Sequence, residues 1–279
     1  MTVEVTIRRA LVQSGLVPLD AQVLLAHALG RDRAWLIAHD DAALTREQAG
    51  AYFALARRRR DGEPIAYLTG IREFWGLPFA VSPAVLIPRP ETETLVELAL
   101  SRLPNDREVG VLDLGTGSGA IAIAIAHERP RASVLATDVS ADALAIAREN
   151  ARRLSAGNVE FVQSDWYARV PANWHGAPFA LIASNPPYVA ANDPHLHDGD
   201  VRFEPATALS PGGDGLAAIR AIVGGAGERL ASGGTLVVEH GYDQSDRVRE
   251  LFAAAGFAEI VAVRDLAGIP RVVAGCRAA

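Results

Sequence analysis

The sequence predicts an α/β fold with a parallel sheet covered on both faces, preceded by a small helical bundle. Three observations point there. From residue 91 onward, helical and strand-like segments alternate, the pattern of a parallel sheet with helices on each side. Before residue 70, Leu and Ala recur at helical spacing. Between them the character switches to Phe74, Trp75, Phe79, Val81 and Val85, with Gly76 and Pro78 marking a short hairpin that serves as a linker.

Helices are expected over 3–14, 18–29, 32–38 and 45–60. Thr45 followed by Gln48 is a capping box, Pro18 suits a first turn, and Gly15, Gly30 and Gly62 fit helix exits. Arg57 to Arg60 end the fourth helix, where its dipole and solvent favour cations, although a nucleic-acid contact stays open. After the hairpin come a helix at 91–103, a strand at 110–114, a helix at 118–127, a strand at 133–138 and a helix at 141–154. Strands at 159–163 and 179–184 follow, then a helix at 215–230, a strand at 234–239, a helix at 244–255 and closing strands at 258–263 and 271–275.

Composition narrows the function classes. The chain has 279 residues, 49% hydrophobic, which is enough to bury a substantial core and excludes disorder as the main state. A net charge of −6 argues against a nucleic-acid-wrapping protein, and residues 1–86 carry 10 Arg against 9 acids, leaving no basic footprint. Cys276 stands alone, so neither an internal disulfide nor structural zinc is expected. The N-terminus lacks an apolar leader, and the longest uninterrupted apolar run, 120–126, is far short of a membrane span. A cytoplasmic protein with no membrane partner is the expectation.

The predicted strand at 110–114 runs into Gly115-Thr116-Gly117-Ser118-Gly119 and then a helix. Glycine suits a tight turn whose backbone a ligand must approach, and the N–H groups at the helix start attract an anionic group. One strand later Asp138 offers a carboxylate to the two hydroxyls of a ribose, or a cap to the next helix. After the third strand, Asp165 and Trp166 stand at the carboxyl edge, placed to hold a base amino group and to pack on its ring, or simply to cap a helix and close the core. Gly115, Gly117 and Ala120 also satisfy the dinucleotide pattern G-x-G-x-x-G/A, so a nicotinamide dehydrogenase stays open on these residues. Gly119, and Asp113 two residues ahead of the loop, resemble instead the first motif of S-adenosylmethionine (SAM) methyltransferases.

The sharpest signal is Asn185-Pro186-Pro187-Tyr188 directly after the strand at 179–184. Two prolines remove backbone donors and stiffen the chain, so the Asn185 and Pro186 carbonyls and the Asn185 side-chain oxygen form a rigid set of acceptors. Such a set suits an NH2 group whose nitrogen must be held for methyl transfer, with Tyr188 as an apolar wall.

The glycine loop together with Asn185 to Tyr188 resembles the amino-group methyltransferases that carry an N/D-P-P-Y/F motif. Three further runs narrow the resemblance: 62–70 (GEPIAYLTG), 85–93 (VLIPRPETE) and 200–205 (DVRFEP). In that combination the chain resembles the PrmC/HemK family of peptide chain release factor N5-glutamine methyltransferases. The resemblance implies a five-helix N-terminal domain at 1–70 that docks the release factor, a hairpin linker at 71–88, and a seven-stranded, Rossmann-like SAM-dependent methyltransferase domain at 89–279. It implies SAM as cofactor, S-adenosylhomocysteine as product, and as partner a class-1 release factor, whose Gly-Gly-Gln glutamine is methylated. Carried over, Gly115, Thr116, Gly117, Ser118 and Gly119 hold the methionine part, Asp138 the ribose, and Trp166 the adenine neighbourhood. Asn185, Pro186, Pro187 and Tyr188 grip the amide, with Asn185, Pro186 and Tyr188 as the catalytic set and Asn185 also facing the cofactor. A DNA or RNA base-amino methyltransferase and a non-catalytic SAM-sensing or release-factor-binding module are the alternatives.

Other residues invite roles. His195, His197, Asp198 and Asp200 share one loop, but their spacing matches no zinc pattern, and no metal is expected. Arg202 and Glu204 either orient substrate or pair with each other. Glu91 and Glu93 suit a helix start, Arg89 a salt bridge or solvent, and Glu239-His240-Gly241 at a strand end is left outside the site.

Overall fold

Side-chain caps set most helix starts in the N-terminal region. The helices are α1 (Ile7–Gln13), α2 (Pro18–Leu29), α3 (Arg33–Ala38), α4 (Arg46–Arg60) and α5 (Ile65–Thr69) in a computed structural model that describes residues 5–197 and 199–278. Thr6, Asp32 and Thr45 accept the N–H groups of Arg9, Trp35 and Gln48, and the Gln48 side chain returns a bond to Thr45 N at 2.9 Å, completing the capping box. The first helix starts at Ile7 because Thr6 caps it there. The fifth, which the apolar spacing does not reveal, is a short turn of helix between Pro64 and Gly70. With it, the described residues hold the five helices that the family resemblance implies. Their shared core is Ile7, Leu24, Leu25, Leu36 and Tyr52.

The described residues divide into two units. The helical unit runs to Ile71 and also includes His197–Phe203; the other comprises Arg72–Leu196 and the residues from Glu204. Within the helical unit, Arg59 binds Asp20 and Asp200, each at 2.7 Å, Arg58 binds Glu63, and Arg60 donates to the Ser14 carbonyl. These arginines are occupied by internal partners.

The hairpin follows, formed by β1 (Ile71–Phe74) and β2 (Leu77–Ala80). Its turn places Trp75 and Gly76 at φ 55° and 69°, the two positive values of a type I′ turn. A 3-10 turn over Pro90–Thr92 leads into α6 (Glu93–Arg102), β3 (Val109–Leu114), α7 (Ala120–Glu128), β4 (Ala132–Asp138), α8 (Ala141–Arg153), β5 (Val159–Gln163) and β6 (Phe179–Ser184). Then come α9 (Ala206–Leu209), α10 (Ala217–Ala226), β7 (Leu230–Glu239), α11 (Ser245–Ala254), β8 (Phe257–Arg264) and β9 (Pro270–Arg277). The strand order is β5-β4-β3-β6-β7-β9-β8; β5 to β7 pair in parallel, while β9 runs antiparallel to both neighbours. Among the described residues this is the seven-stranded α/β fold that the sequence and the resemblance lead one to expect.

Strand alternation sorts the core into two layers. Val111, Val134, Leu181, Val237 and Val272 pack with α6 and α7, whereas Leu112, Leu135, Ile182, Leu236 and Val273 pack with α10 and α11. Helix α7 is apolar on all sides, with Ala120 to Ala126 all buried, as a helix enclosed between sheet and neighbours must be. The helix expected over 215–230 stops at Ala226, and β7 begins at Leu230 rather than 234. Gly233, at φ 72°, allows an irregularity there: Phe179 pairs with Leu230, but Leu181 with Thr235.

Asn150, fully buried on α8, joins the hairpin to this core. Its Oδ1 accepts from Ala80 N at 2.7 Å, and its Nδ2 donates to the carbonyls of Ala80 at 3.0 Å and Ser118 at 2.9 Å. Asn150→Leu keeps the volume but leaves these groups short of partners. It is expected to lower stability by about 2–3 kcal/mol, seen as a lower urea midpoint at unchanged slope.

Candidate active site

The glycine loop takes its shape from backbone conformation before any ligand is considered. Gly115, Gly117 and Gly119 have φ of 71°, 55° and 84°, a region that strains other residues. A Cβ on Gly119 would also meet Ile123 Cδ1 at 2.9 Å, whereas one on Gly117 would meet nothing within 4 Å. The end of β4 holds the loop in place: Thr116 N donates to the Thr137 carbonyl at 2.8 Å, and Gly117 N to Asp138 Oδ2 at 2.9 Å.

Asp138 also accepts from Ser140 N through Oδ1 at 2.9 Å, while Ser140, not Asp138, caps α8. Each carboxylate oxygen keeps a further lone pair for a ligand hydroxyl. Burial raises the Asp138 pKa, and the backbone donors act against that rise. Gly115, Thr116, Gly117, Ser118, Asp138 and Trp166 line one cavity of about 320 Å³. Gly119 does not line it; it starts α7 behind the loop. Trp166 sits at φ 45°, its carbonyl accepting from the Ser164 hydroxyl at 2.8 Å.

The same cavity reaches Asn185 and Pro187. Ser184 Oγ donates to the Leu114 carbonyl at 2.7 Å, tying the ends of β3 and β6 together so that both loops leave from one edge. Asn185 Nδ2 donates to Thr92 Oγ1 at 3.1 Å. Pro186 is buried and, like Tyr188, does not line the cavity. The Tyr188 hydroxyl donates to Glu239 Oε1 at 3.3 Å, and its carbonyl accepts from Gln244 Nε2 at 2.9 Å. The arrangement offers N–H groups to an anion, a carboxylate to paired hydroxyls, an indole to a flat ring, and an amide oxygen at the far end of one cavity.

Two buried carboxyls lie behind these loops. Asp113 accepts from Thr116 Oγ1 at 2.6 Å, and burial raises its pKa to about 7. Glu239 is likewise raised to about 7 by burial, against hydrogen bonds from Thr92 and Tyr188 and the charge of Arg271. Each keeps one oxygen without a protein partner, Asp113 Oδ1 and Glu239 Oε2. Thr92 and Glu239 are the site residues that the sequence reading misses. The available signal was an acid at the end of an otherwise buried strand.

The loop after Tyr188 assigns the remaining residues. Arg202 and Glu204 do not pair with each other: Arg202 donates to the Asp61 carbonyl and lies over the Phe203 ring, while Glu204 accepts from Arg89 at 2.5 Å and from Ile87 N at 3.3 Å. Arg89 therefore forms a salt bridge. His195 binds Asp193, Asp200 binds Arg59, and Asp198 lies outside the described residues.

Asp113 gives a pH-dependent prediction. Its folded pKa, about 7, exceeds the ordinary 3.8, so the folded chain holds this proton more tightly and the stability it contributes is lost as pH rises from about 4 through 7. Asp113→Asn does not titrate, and urea midpoints measured across that range are expected to fall less steeply than in the native chain.

Comparison with known proteins agrees with this geometry. Residues 6–70 match the family model "PrmC N-terminal domain" and residues 93–259 match "Methyltransferase small domain". The release factor glutamine methyltransferase of Burkholderia pseudomallei is 52% identical over 267 residues, covering 94% of this chain and 93% of that protein. That of Escherichia coli is 49% identical, covering 92% and 91%. A methyltransferase from Pyrococcus furiosus shares the fold, with a TM-score of 0.54 at 18% identity over 80% of this chain and 98% of that one.

Proposed function

We propose that this chain, which belongs to the release factor glutamine methyltransferase family, methylates the side-chain amide nitrogen (N5) of the Gly-Gly-Gln glutamine in class-1 release factors. The observation that carries this reading is the single cavity shared by the loop residues Gly115 to Ser118, Asp138 and Asn185, which brings a donor site and an amide-gripping site into one space. SAM is the cofactor that fits: the loop N–H groups suit its carboxylate, Asp138 its ribose hydroxyls and Trp166 its adenine neighbourhood, and the open side of Gly117 leaves room for it. When bound, it supplies an electrophilic methyl group on a sulfonium.

The remaining work falls to the acceptor loop. An amide nitrogen is a poor nucleophile because its lone pair is delocalised into the carbonyl. Hydrogen bonds from its two hydrogens to Asn185 Oδ1 and the Pro186 carbonyl favour pyramidal nitrogen and strengthen as positive charge develops there, so they act on the transition state more than on the bound substrate. Pro187 borders the cavity, and Tyr188 fixes the loop through its hydroxyl and carbonyl bonds. No base in the loop is needed, since the methylated nitrogen is acidic enough to lose its proton to water.

In the same reading, residues 1–70 dock the release factor, 71–88 form the linker and 89–279 the catalytic domain, acting in the cytoplasm. No described helix is long and apolar enough to cross a membrane. The internal pairing of Arg58, Arg59 and Arg60 favours a protein partner over direct nucleic-acid binding.

Incubation with purified release factor and labelled SAM, followed by peptide mass mapping, is expected to place one methyl group on the Gly-Gly-Gln glutamine; label confined to nucleic acid would contradict the reading. In that assay Asn185→Ala is expected to lower kcat by about 10², the scale of losing one preorganised partner. Near-native turnover would remove Asn185 from the reaction.

A further inference from the structure

The cavity beside the glycine loop is lined by charges of mostly one sign. Asp138, Asp142 and Asp165 border it, and among its described lining residues Arg89 is the one cation. SAM carries an ammonium and a sulfonium, which acids suit, and a single carboxylate. The loop alone is a thin match for that carboxylate, because three of its five N–H groups are already spent within the protein. Thr116 N donates to the Thr137 carbonyl, Gly117 N to Asp138 Oδ2 and Gly119 N to the Thr116 carbonyl.

We infer that Arg89 supplies the missing counter-charge, its guanidinium binding the carboxylate of the SAM methionine part while Glu204 holds it in place. The inference rests on the methyltransferase reading above and deepens it. Arg89 stands directly before the 3-10 turn, its carbonyl accepting from Thr92 N at 3.1 Å, and the Thr92 hydroxyl meets Asn185 Nδ2 at 3.1 Å. Arg89 therefore belongs to the Asn185 end of the cavity. In SAM the methionine chain and the transferred methyl share one sulfur, so a methyl aimed at Asn185 brings the methionine part to that same end. Glu204 anchors the cation there: its side chain is 0% exposed, Oε2 accepts from Arg89 Nη2 at 2.5 Å, and Oε1 accepts from Ile87 N at 3.3 Å. That bond commits one of the five N–H donors of the guanidinium, and the Arg89 side chain remains 33% exposed. A planar fork held in this way can take a second carboxylate through two parallel hydrogen bonds.

Calorimetry with S-adenosylhomocysteine, and with its analogue in which hydrogen replaces the carboxylate, reads this contact without turnover. The native chain is expected to bind S-adenosylhomocysteine about tenfold or more tightly than the analogue. Arg89→Met is expected to weaken S-adenosylhomocysteine about tenfold or more and the analogue less than about threefold, a selective loss that a packing role would not produce. Arg89→Lys keeps the charge but not the fork and is expected to fall between the two. Because Arg89→Met leaves Glu204 buried without its cation, the double variant Arg89→Met/Glu204→Gln removes both charges and is expected to show the same selective loss.

Equal weakening of both ligands, or S-adenosylhomocysteine bound within about threefold of native by the Arg89→Met and double variants, would overturn the assignment while leaving the reaction standing. So would a raised KM for the release factor with an unchanged Kd for S-adenosylhomocysteine, which would place Arg89 on the protein substrate. A native chain that binds neither SAM nor S-adenosylhomocysteine would instead overturn the methyltransferase reading itself.

Discussion

Parallel pairing of β3 with β4 on one side and β6 on the other is the constraint from which the site follows. Leu112 aligns with Leu135 and Ile182, so the three strands stop at one edge and their loops emerge together. The glycine loop, Asp138 and Asn185 are far apart in sequence yet line one cavity because of this register. The side-chain bond from Ser184 to the Leu114 carbonyl locks the β3 and β6 ends directly. A slip of one residue would turn the β6 side chains to the opposite face and move its loop out of line with the glycine loop.

Behind that edge the two halves of the site are supported in the same way. Asp113 sits under the donor loop and holds Thr116, while Glu239 sits under the acceptor loop and holds Tyr188. Both are buried carboxyls with pKa raised to about 7, and both keep one oxygen without a protein partner. Burying such groups opposes folding, because desolvation disfavours the charged form and an orphaned acceptor loses its water. What each contributes is position: Asp113 holds the Thr116 hydroxyl beneath the glycine loop, and Glu239 holds the Tyr188 hydroxyl beneath the acceptor loop.

Much of this was legible in the residues. Asp113, the glycines, Asp138 and Asn185 to Tyr188 announce themselves because each needs a particular residue type at a particular strand end, and strand ends follow from apolar alternation. Helix α5 was not legible, because the stretch from Ile65 to Thr69 is too short to show a period. Thr92 and Glu239 were not, because each meets the acceptor loop only through the fold, Thr92 through Asn185 and Glu239 through Tyr188, which no local pattern encodes. The pairing of Glu204 with Arg89 rather than Arg202 belongs to the same class: partners 115 residues apart are chosen by the fold, not by proximity in the chain.

The central claim is that methyl donor and glutamine amide meet between the glycine loop and Asn185. A crystal structure with S-adenosylhomocysteine and glutamine bound together tests it most directly. The account predicts the glutamine side-chain nitrogen hydrogen-bonded to Asn185 Oδ1 and the Pro186 carbonyl, on the side facing the cofactor sulfur. Glutamine seated elsewhere, or an Asn185 whose NH2 meets the substrate amide, would contradict it.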